Sequence, residues 1–230
     1  MAVPPPGATE PAAPPVWCVL VAAGSGSRFG GAKQFATLGG RTVLERAVSV
    51  AADCCDGVVV VAHPESVDTA RELVDVSVPG GCRVVPGGNT RSGSSRLGVE
   101  AVPDSAEVIL VHDAARPLAT AEVYGRVIDA VRNGADGAVP VVPVVDTIRD
   151  TDGELVDRDR LLAVQTPQGF DLRTLRAAHS SFEGDATDDA SMVEAIGAPI
   201  AIVEGDPMNL KVTYPEDLLL IEALRSRHHE

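Results

Sequence analysis

The sequence predicts an α/β fold, a three-layer sandwich around a mostly parallel, Rossmann-like sheet, carrying a protruding β-arm. Three observations carry the prediction. Short β-branched runs recur along the chain. They are nearly continuous in hydrophobicity rather than alternating, as strands covered on both faces are. Helical patterns with recognisable starts separate them, so strand and helix alternate from end to end.

The elements follow in order. Residues 1–15, MAVPPPGATEPAAPP, lack the basic start and apolar run of a leader and read as a disordered, proline-rich tail ahead of a single domain over 16–230. Strands are expected at 16–23, 57–62, 82–85, 107–112, 137–144 and 199–204. Thr42 with Glu45 three residues on suggests a capping box before VLERAVSVAA, and Thr120 and Asp171 are candidate caps for the helices that follow them. Pro215 suits the first turn of a last helix. One segment, about 144–164, breaks the rhythm: it is charged and turn-rich, with short alternating stretches on either side of DTDGE, an excursion of two strands from the main body.

Composition narrows the function. The formal charge of −14 argues against broad contact with nucleic acid or an anionic membrane face, both of which need a basic patch. Small anions remain accessible to cations gathered in one cleft, because distant charges are screened beyond about 8 Å. Cys18, Cys54, Cys55 and Cys82 fit neither a disulfide framework nor a zinc spacing and read as structural. No apolar run reaches the roughly 18 residues of a membrane span, and a cytoplasmic protein is expected.

The most informative stretch is VLVAAGSGSRFGGAKQF, Val19 to Phe35. An apolar strand opens into a loop at its carboxyl end, where open parallel sheets gather their ligands. Glycine there lets backbone N–H groups face an anion without a side chain in the way. Two fingerprints come close and fail: Phe29 stands at the third glycine of GxGxxG, and Gly26 to Gly31 is followed by Ala32 before Lys33, which breaks the Walker A spacing. An NAD-dependent dehydrogenase is therefore disfavoured. On its own the loop is equally a simple turn with Arg28 and Lys33 as solvated charges.

AAGSGSRFGGAKQF resembles the LxAAGxGxRMxxxxPKQ signature of nucleotidyltransferases. Further stretches, GGNTRSGS (87–94), VHDAARP (111–117), LLAVQTPQGF (161–170), ATDDASMVE (186–194) and VEGDPMNLKVTYPEDL (203–218), are similar, together and in this order, to the 2-C-methyl-D-erythritol 4-phosphate cytidylyltransferase family of the non-mevalonate isoprenoid pathway. The likeness covers about residues 17 to 227. It implies transfer of the cytidylyl group of CTP to 2-C-methyl-D-erythritol 4-phosphate with release of pyrophosphate. A sister activity on ribitol 5-phosphate shares the loop, the arm and the reaction. A non-catalytic nucleotide sensor on the same fold is the rival of another class, but it predicts decayed charges, and Arg28, Lys33, Arg158 and Lys211 are all present. No fused cyclodiphosphate synthase is expected, since nothing of domain size follows Glu230.

The resemblance also distributes roles. Arg28 and Lys33, with the backbone of Ala22, Ala23, Gly24 and Gly26, would wrap the triphosphate. Lys211 would hold the acceptor phosphate and the α-phosphate together. Asp113, Ala114 and Arg116 of HDAARP would face the acceptor, Asp113 being open between acceptor and Mg²⁺, which should arrive with CTP. Gly88, Asn89 and Ser94 match positions that read cytosine, and Thr187 one that contacts the acceptor. Thr166 and Gln168 should shape the pocket wall. Thr147 and Arg158 lie on the arm, which in the family reaches into a partner subunit, so an obligate homodimer with exchanged arms is expected. Read without the resemblance, Arg158 is a solvated charge, Lys211 a surface lysine, Asp113 and Arg116 a turn ion pair, and Asp188 and Asp189 helix caps. Phe29 replaces the usual methionine, and the spacer before Lys33 is short and lacks its proline, departures that bear on loop geometry. His63, His112, His179, His228 and His229 are scattered and receive no chemistry.

Overall fold

The structure, a computed structural model, describes residues 14–74 and 82–227. The tail expected over 1–15 falls almost wholly outside the described residues, as do His228 and His229.

In chain order the elements are β1 Val16–Ala22, a small hairpin β2 Thr37–Leu38 and β3 Arg41–Thr42, α1 Val43–Cys54, β4 Gly57–Ala62, α2 Val67–Leu73, β5 Cys82–Pro86, α3 Arg91–Glu100, β6 Val108–Asp113, α4 Ala121–Arg132 and β7 Gly137–Pro143. There follow β8 Ile148–Arg149, β9 Leu155–Val156, β10 Leu162–Val164, β11 Gln168–Asp171, α5 Leu172–Ser181, α6 Asp189–Ala195, β12 Ile200–Glu204 and α7 Asp217–Arg227. The main sheet of eight strands runs β5-β4-β1-β6-β11-β7, with β10 and β12 both paired to β7. β11 is antiparallel to β6 and β7 and β10 is antiparallel to β7, whereas the remaining pairings are parallel.

The period of two in a strand sorts β1 between two cores. Val16, Cys18, Leu20 and Ala22 face α1, α2 and α4, whose Leu44, Val48, Ala70, Tyr124 and Val127 close that layer. Trp17 and Val19 face the other way, against Val99 of α3, Leu175 of α5 and Met192 of α6. Each fully buried Val or Leu contributes roughly 1.5–3 kcal/mol to this packing. Helices on both faces make β4 and β6 buried along their whole length, as expected of continuous apolar runs. β5 and β12 are only partly buried because each is flanked by a strand on one side alone, and Ile202 on β12 is left exposed. β11, from QGFD, is not among the expected strands: four residues ending on a helix cap give a weak strand signal, and its antiparallel pairing comes from the sheet around it.

The expected starts are largely present. Thr42 and Glu45 form a reciprocal capping box, and Asp171 accepts from the N–H of Thr174 at 2.8 Å. Thr120 precedes α4 without a side-chain bond to a helical N–H, and the last helix begins at Asp217, two residues after Pro215. The excursion expected over 144–164 forms the two-stranded β8–β9 sheet, whose Asp150 accepts from the N–H groups of Asp152 and Glu154 at 3.0 and 2.9 Å, but its end does not leave the main body: Leu162–Val164 pairs with β7 as β10. All four cysteines are free, with Cys18 and Cys55 buried. No helix among the described residues is long and apolar enough to cross a membrane.

A third, smaller cluster lies outside the sheet. Leu38, Val43, Ala115, Val212 and Ile221 are buried together, and Phe29, Leu118, Leu210 and Leu218 pack against them. It ties the glycine loop, the β2–β3 hairpin, the 210–212 segment and α7 into one block. Phe29, the departure from the signature methionine, fills an apolar place here.

α3 reaches the sheet through Gly98, where an added Cβ would stand 2.4 Å from Cγ1 of Val19 and 2.7 Å from Cγ2 of Val61. Gly98→Ala is therefore expected to lower unfolding stability by about 1–3 kcal/mol through overpacking. Urea denaturation of the two proteins measures it, and an unchanged midpoint would contradict the close approach of α3.

Candidate active site

The chain runs from β1 to β4 and β5 on one side, then returns to place β6 on the other side of β1, so β1 and β6 flank a topological switch point. Their register pairs Val21 with Asp113, while Ala22 pairs with Ala62 of β4. Beyond these carboxyl ends opens a cavity of about 490 Å³.

It is lined by ten residues singled out in the sequence: Ala22, Ala23, Gly24, Lys33, Gly88, Asn89, Ser94, Asp113, Ala114 and Lys211. Eight others stand apart from its lining, Thr166 and Gln168 among them. Gly26 shapes the loop from behind: its φ is +66°, a Cβ there would meet the Gly31 carbonyl oxygen at 1.9 Å, and its own carbonyl accepts from Phe29, Gly30 and Gly31 at 2.9, 2.9 and 3.3 Å. Arg28 is exposed on that loop, close enough for its charge to bear on Lys33. Arg116 turns its guanidinium onto the Asn209 carbonyl, with Nη1 donating at 2.6 Å. Thr187 is exposed just ahead of α6, and Thr147 is exposed on the arm. Arg158, also on the arm, donates to the Val145 carbonyl and stands 4.0 Å from Asp159.

Asp113 organises the cationic end. Its Oδ2 accepts from Lys211 Nζ at 2.5 Å and its Oδ1 lies 3.6 Å from Arg91 Nε. Burial alone would raise its pKa, but Lys211 and Arg91 outweigh that and hold it at about 2. Lys33 Nζ donates to the Val212 carbonyl at 2.6 Å, one residue from Lys211, so the two lysines meet at one edge of the cavity. Burial lowers the Lys33 pKa and the Lys211 charge lowers it further, against the pull of Asp113. In a chain of charge −14, three cations against one carboxylate line this hollow.

Sequence reasoning missed Arg91. It follows the cap Thr90 in the first turn of α3, where the helix dipole disfavours a cation; an arginine in that place signals a specific partner. It has two: Asp113, and Asp189, whose Oδ2 accepts from Arg91 Nη1 at 2.8 Å. Asp189 is fully buried, also accepts from Ser95 Oγ at 2.5 Å, and stands 3.2 Å from His179 Nε2. Burial would raise its pKa, yet His179, Arg91 and Ser95 keep it lowered. Of the two aspartates read as caps, Asp188 caps α6 by accepting from Ser191 N–H, whereas Asp189 holds Arg91. Gln34 and Ser25 also line the cavity without having been singled out, as does His63, which the sequence reading gave no chemistry.

Thr166 and Gln168 do not form the wall assigned to them; both are buried one layer back. Gln168 binds Asp188 and the Ala190 N–H. Thr166 Oγ1 accepts from the Asp113 N–H at 3.1 Å and lies 2.9 Å from His112 Nδ1, while His112 Nε2 lies 3.2 Å from the Arg116 carbonyl. With the Thr166 hydroxyl accepting from Asp113, its proton goes to Nδ1 and the ring donates from Nε2. Neutral His112 thus satisfies every partner and fixes the backbone on either side of Asp113.

Residues 16–227 match the sequence profile of the family described as IspD, 2-C-methyl-D-erythritol 4-phosphate cytidylyltransferase. The 2-C-methyl-D-erythritol 4-phosphate cytidylyltransferase of Streptomyces coelicolor is 45% identical over 227 residues, covering 91% of this chain and 84% of that protein. The bifunctional enzyme IspD/IspF of Solidesulfovibrio magneticus is 44% identical over 221 residues, and there the chain spans only 55% of the relative's length. The solved structure of the same-named cytidylyltransferase from Thermus thermophilus superposes with a TM-score of 0.75 at 37% identity, covering 90% of this chain and 98% of that one. The 4-diphosphocytidyl-2C-methyl-D-erythritol synthase of Anaerococcus prevotii gives 0.80 at 27% identity, with 92% and 98% covered.

Burial brings the His112 pKa down from 6.5 to about 4. The unfolded chain therefore binds this proton more readily, so the stability is fully present above pH 6.5, declines as pH falls and levels off below about 4. The loss should amount to about 3 kcal/mol. Urea midpoints recorded from pH 7 to 4 check it: wild type should show the decline and His112→Gln, which cannot titrate, should not.

Proposed function

The chain belongs to the 2-C-methyl-D-erythritol 4-phosphate cytidylyltransferase family, and from that premise we propose how its side chains divide the work. The enzyme transfers the cytidylyl group of CTP to 2-C-methyl-D-erythritol 4-phosphate, giving 4-diphosphocytidyl-2-C-methyl-D-erythritol and pyrophosphate. Ribitol 5-phosphate as acceptor is not favoured, since the family profile and the relatives carry the methylerythritol name. The observation that bears most weight is the convergence of Lys33, Arg91 and Lys211 on one end of the cavity at the switch point.

The acceptor phosphate attacks the α-phosphorus of CTP, and the oxygen bridging the α- and β-phosphates leaves with pyrophosphate. The second pKa of the acceptor phosphate is about 6, so the nucleophile is ionised near neutral pH and needs no general base. What the protein supplies is alignment and positive charge where negative charge accumulates. Lys33 and Arg28 stabilise the triphosphate and its transition state, and the backbone from Ala22 to Gly26 curves around it. Lys211, drawn in by Asp113, bridges the acceptor phosphate and the α-phosphate. Gly88, Asn89 and Ser94 hydrogen-bond the cytosine edge, and a wrong base leaves the groups that it covers unpaired.

Mg²⁺ neutralises triphosphate charge when it is bound. The described residues hold no cluster of three or more His, Cys, Asp or Glu that would cage a metal, and among them Asp113 is the only carboxylate lining the cavity. That donor set suits an ion carried in mainly by the nucleotide's own oxygens; Asp113, whose oxygens face Lys211 and Arg91, would meet either that ion or the acceptor.

The acceptor end needs a second copy of the chain. Thr147 and Arg158 do not line their own cavity, and the arm exposes Val145 (79%) and Leu155 (65%) to solvent. Laid on a partner subunit, the arm covers that apolar surface and delivers Arg158 as a bidentate donor to the acceptor phosphate, beside Arg116 and Thr187. The working unit is a homodimer, and its setting is the cytoplasm.

Pyrophosphate release from CTP with methylerythritol phosphate or ribitol 5-phosphate, with and without Mg²⁺, tests the reading; turnover is expected with the first acceptor and only with Mg²⁺. Lys33→Ala should lower kcat about 100-fold or more with the fold intact, one lost donor being worth roughly 3 kcal/mol; near-normal turnover would remove Lys33 from the chemistry. Mixing Lys33→Ala with Arg158→Ala should restore part of the activity through hybrid dimers, and failure to recover any would speak against shared sites.

A further inference from the structure

The cavity lies across strand ends in the order β5-β4-β1-β6, with His63 and Gly88 just beyond β4 and β5 and Asp113 at the end of β6. Arg91 and Lys211 gather on Asp113, and Lys33 is bonded to the residue after Lys211, so all three cations lie together. The remainder of the lining includes an uncharged wall of Pro64, Gly88, Asn89 and Ser94, and on that wall stands His63. A nucleotide seated with its phosphates among the cations places its nucleoside against this wall.

The position of His63 follows from local structure. It directly follows β4, whose last residue Ala62 pairs with Pro86 of β5, and the Ala62 carbonyl accepts from the Gly87 N–H at 2.8 Å. β4 thus ends beside the Gly87–Gly88 turn. Pro64 begins a single 3₁₀ turn, Pro64–Ser66, and the His63 carbonyl accepts from the Ser66 N–H at 2.8 Å, which fixes the backbone. The ring is fixed too: Nδ1 accepts from the Glu65 N–H at 3.3 Å. A neutral imidazole that accepts at Nδ1 carries its proton at Nε2. No hydrogen bond to His63 Nε2 is found among the described residues.

We propose that His63 is a nucleoside-binding residue, its Nε2–H donating to an acceptor oxygen of the nucleoside, either the pyrimidine O2 or a ribose hydroxyl. The proposal rests on the CTP-dependent activity described above and extends its site to a residue that no motif marks. The bond is made in the ground state and the transition state alike, so it acts on CTP affinity and leaves the chemical step unchanged.

The two nitrogens separate a structural role from a binding role. The Asn side chain can still cap the 3₁₀ turn in the place of Nδ1 but falls short of Nε2, whereas the Gln amide reaches the place of Nε2. Steady-state kinetics on the full chain should give a KM for CTP raised about five- to tenfold in His63→Ala and His63→Asn, with kcat within about twofold of wild type and with His63→Gln close to wild type. Repeating the series with 2′-deoxy-CTP locates the acceptor: a penalty that disappears points to the 2′-hydroxyl, and one that persists points elsewhere on the nucleoside. Wild-type KM in His63→Ala, or an intact His63→Asn beside a defective His63→Gln, overturns the proposal and leaves His63 as a turn cap. If wild type turns over no CTP with either acceptor, it is the underlying function that fails.

Discussion

The structure depends on one buried carboxylate. Asp113 sits at the carboxyl end of β6, nearly removed from water, and ion-pairs with Lys211 from near the C-terminus and with Arg91 from α3. A carboxylate in that place is costly unless paired and hydrogen-bonded. Here the partners are two of the cations that line the cavity. The energy that makes Asp113 tolerable is therefore the same energy that holds Lys211 and Arg91 against their mutual repulsion, so the triphosphate of the proposed reaction would meet cations already gathered.

Support for Asp113 comes from behind on two sides. His112, neutral and fully buried, locks the Asp113 backbone through Thr166 and reaches the Arg116 carbonyl. Asp189 anchors Arg91 from α6, itself satisfied by Ser95 and faced by His179. None of His112, His179 and Asp189 lines the cavity; each acts by restricting where a lining side chain can go. The site is accurate because its flexible long side chains are tethered to groups packed between sheet and helices.

The small apolar cluster outside the sheet performs the matching task for the glycine loop. Phe29 and Leu210 pack against it from the two segments that carry Lys33 and Lys211, and Val212 contributes both a buried side chain and the carbonyl that Lys33 grips. The loop's geometry thus depends on side chains from opposite ends of the chain. This explains how a phenylalanine serves where the signature has methionine: the place demands apolar volume, and both residues provide it.

Much of this was legible in the sequence. Continuous β-branched runs required strands covered on both faces, capping residues marked where α1 and α5 begin, and the motifs nominated Lys33, Asp113 and Lys211. These are properties of short segments, and local sequence encodes them through periodicity and turn chemistry. What escaped was long-range. No local pattern says that Asp189 rather than Asp188 turns inward to meet Arg91, that QGFD inserts antiparallel between β6 and β7, that Thr166 and Gln168 stand behind the wall, or that His63 stands on the cavity's uncharged side. The sequence by itself determined the elements and the chemistry available to them. The tertiary structure alone decided which charges share a partner, because an ion pair between residues about a hundred positions apart, such as Asp113 and Lys211, exists only once the sheet has brought its strand ends together.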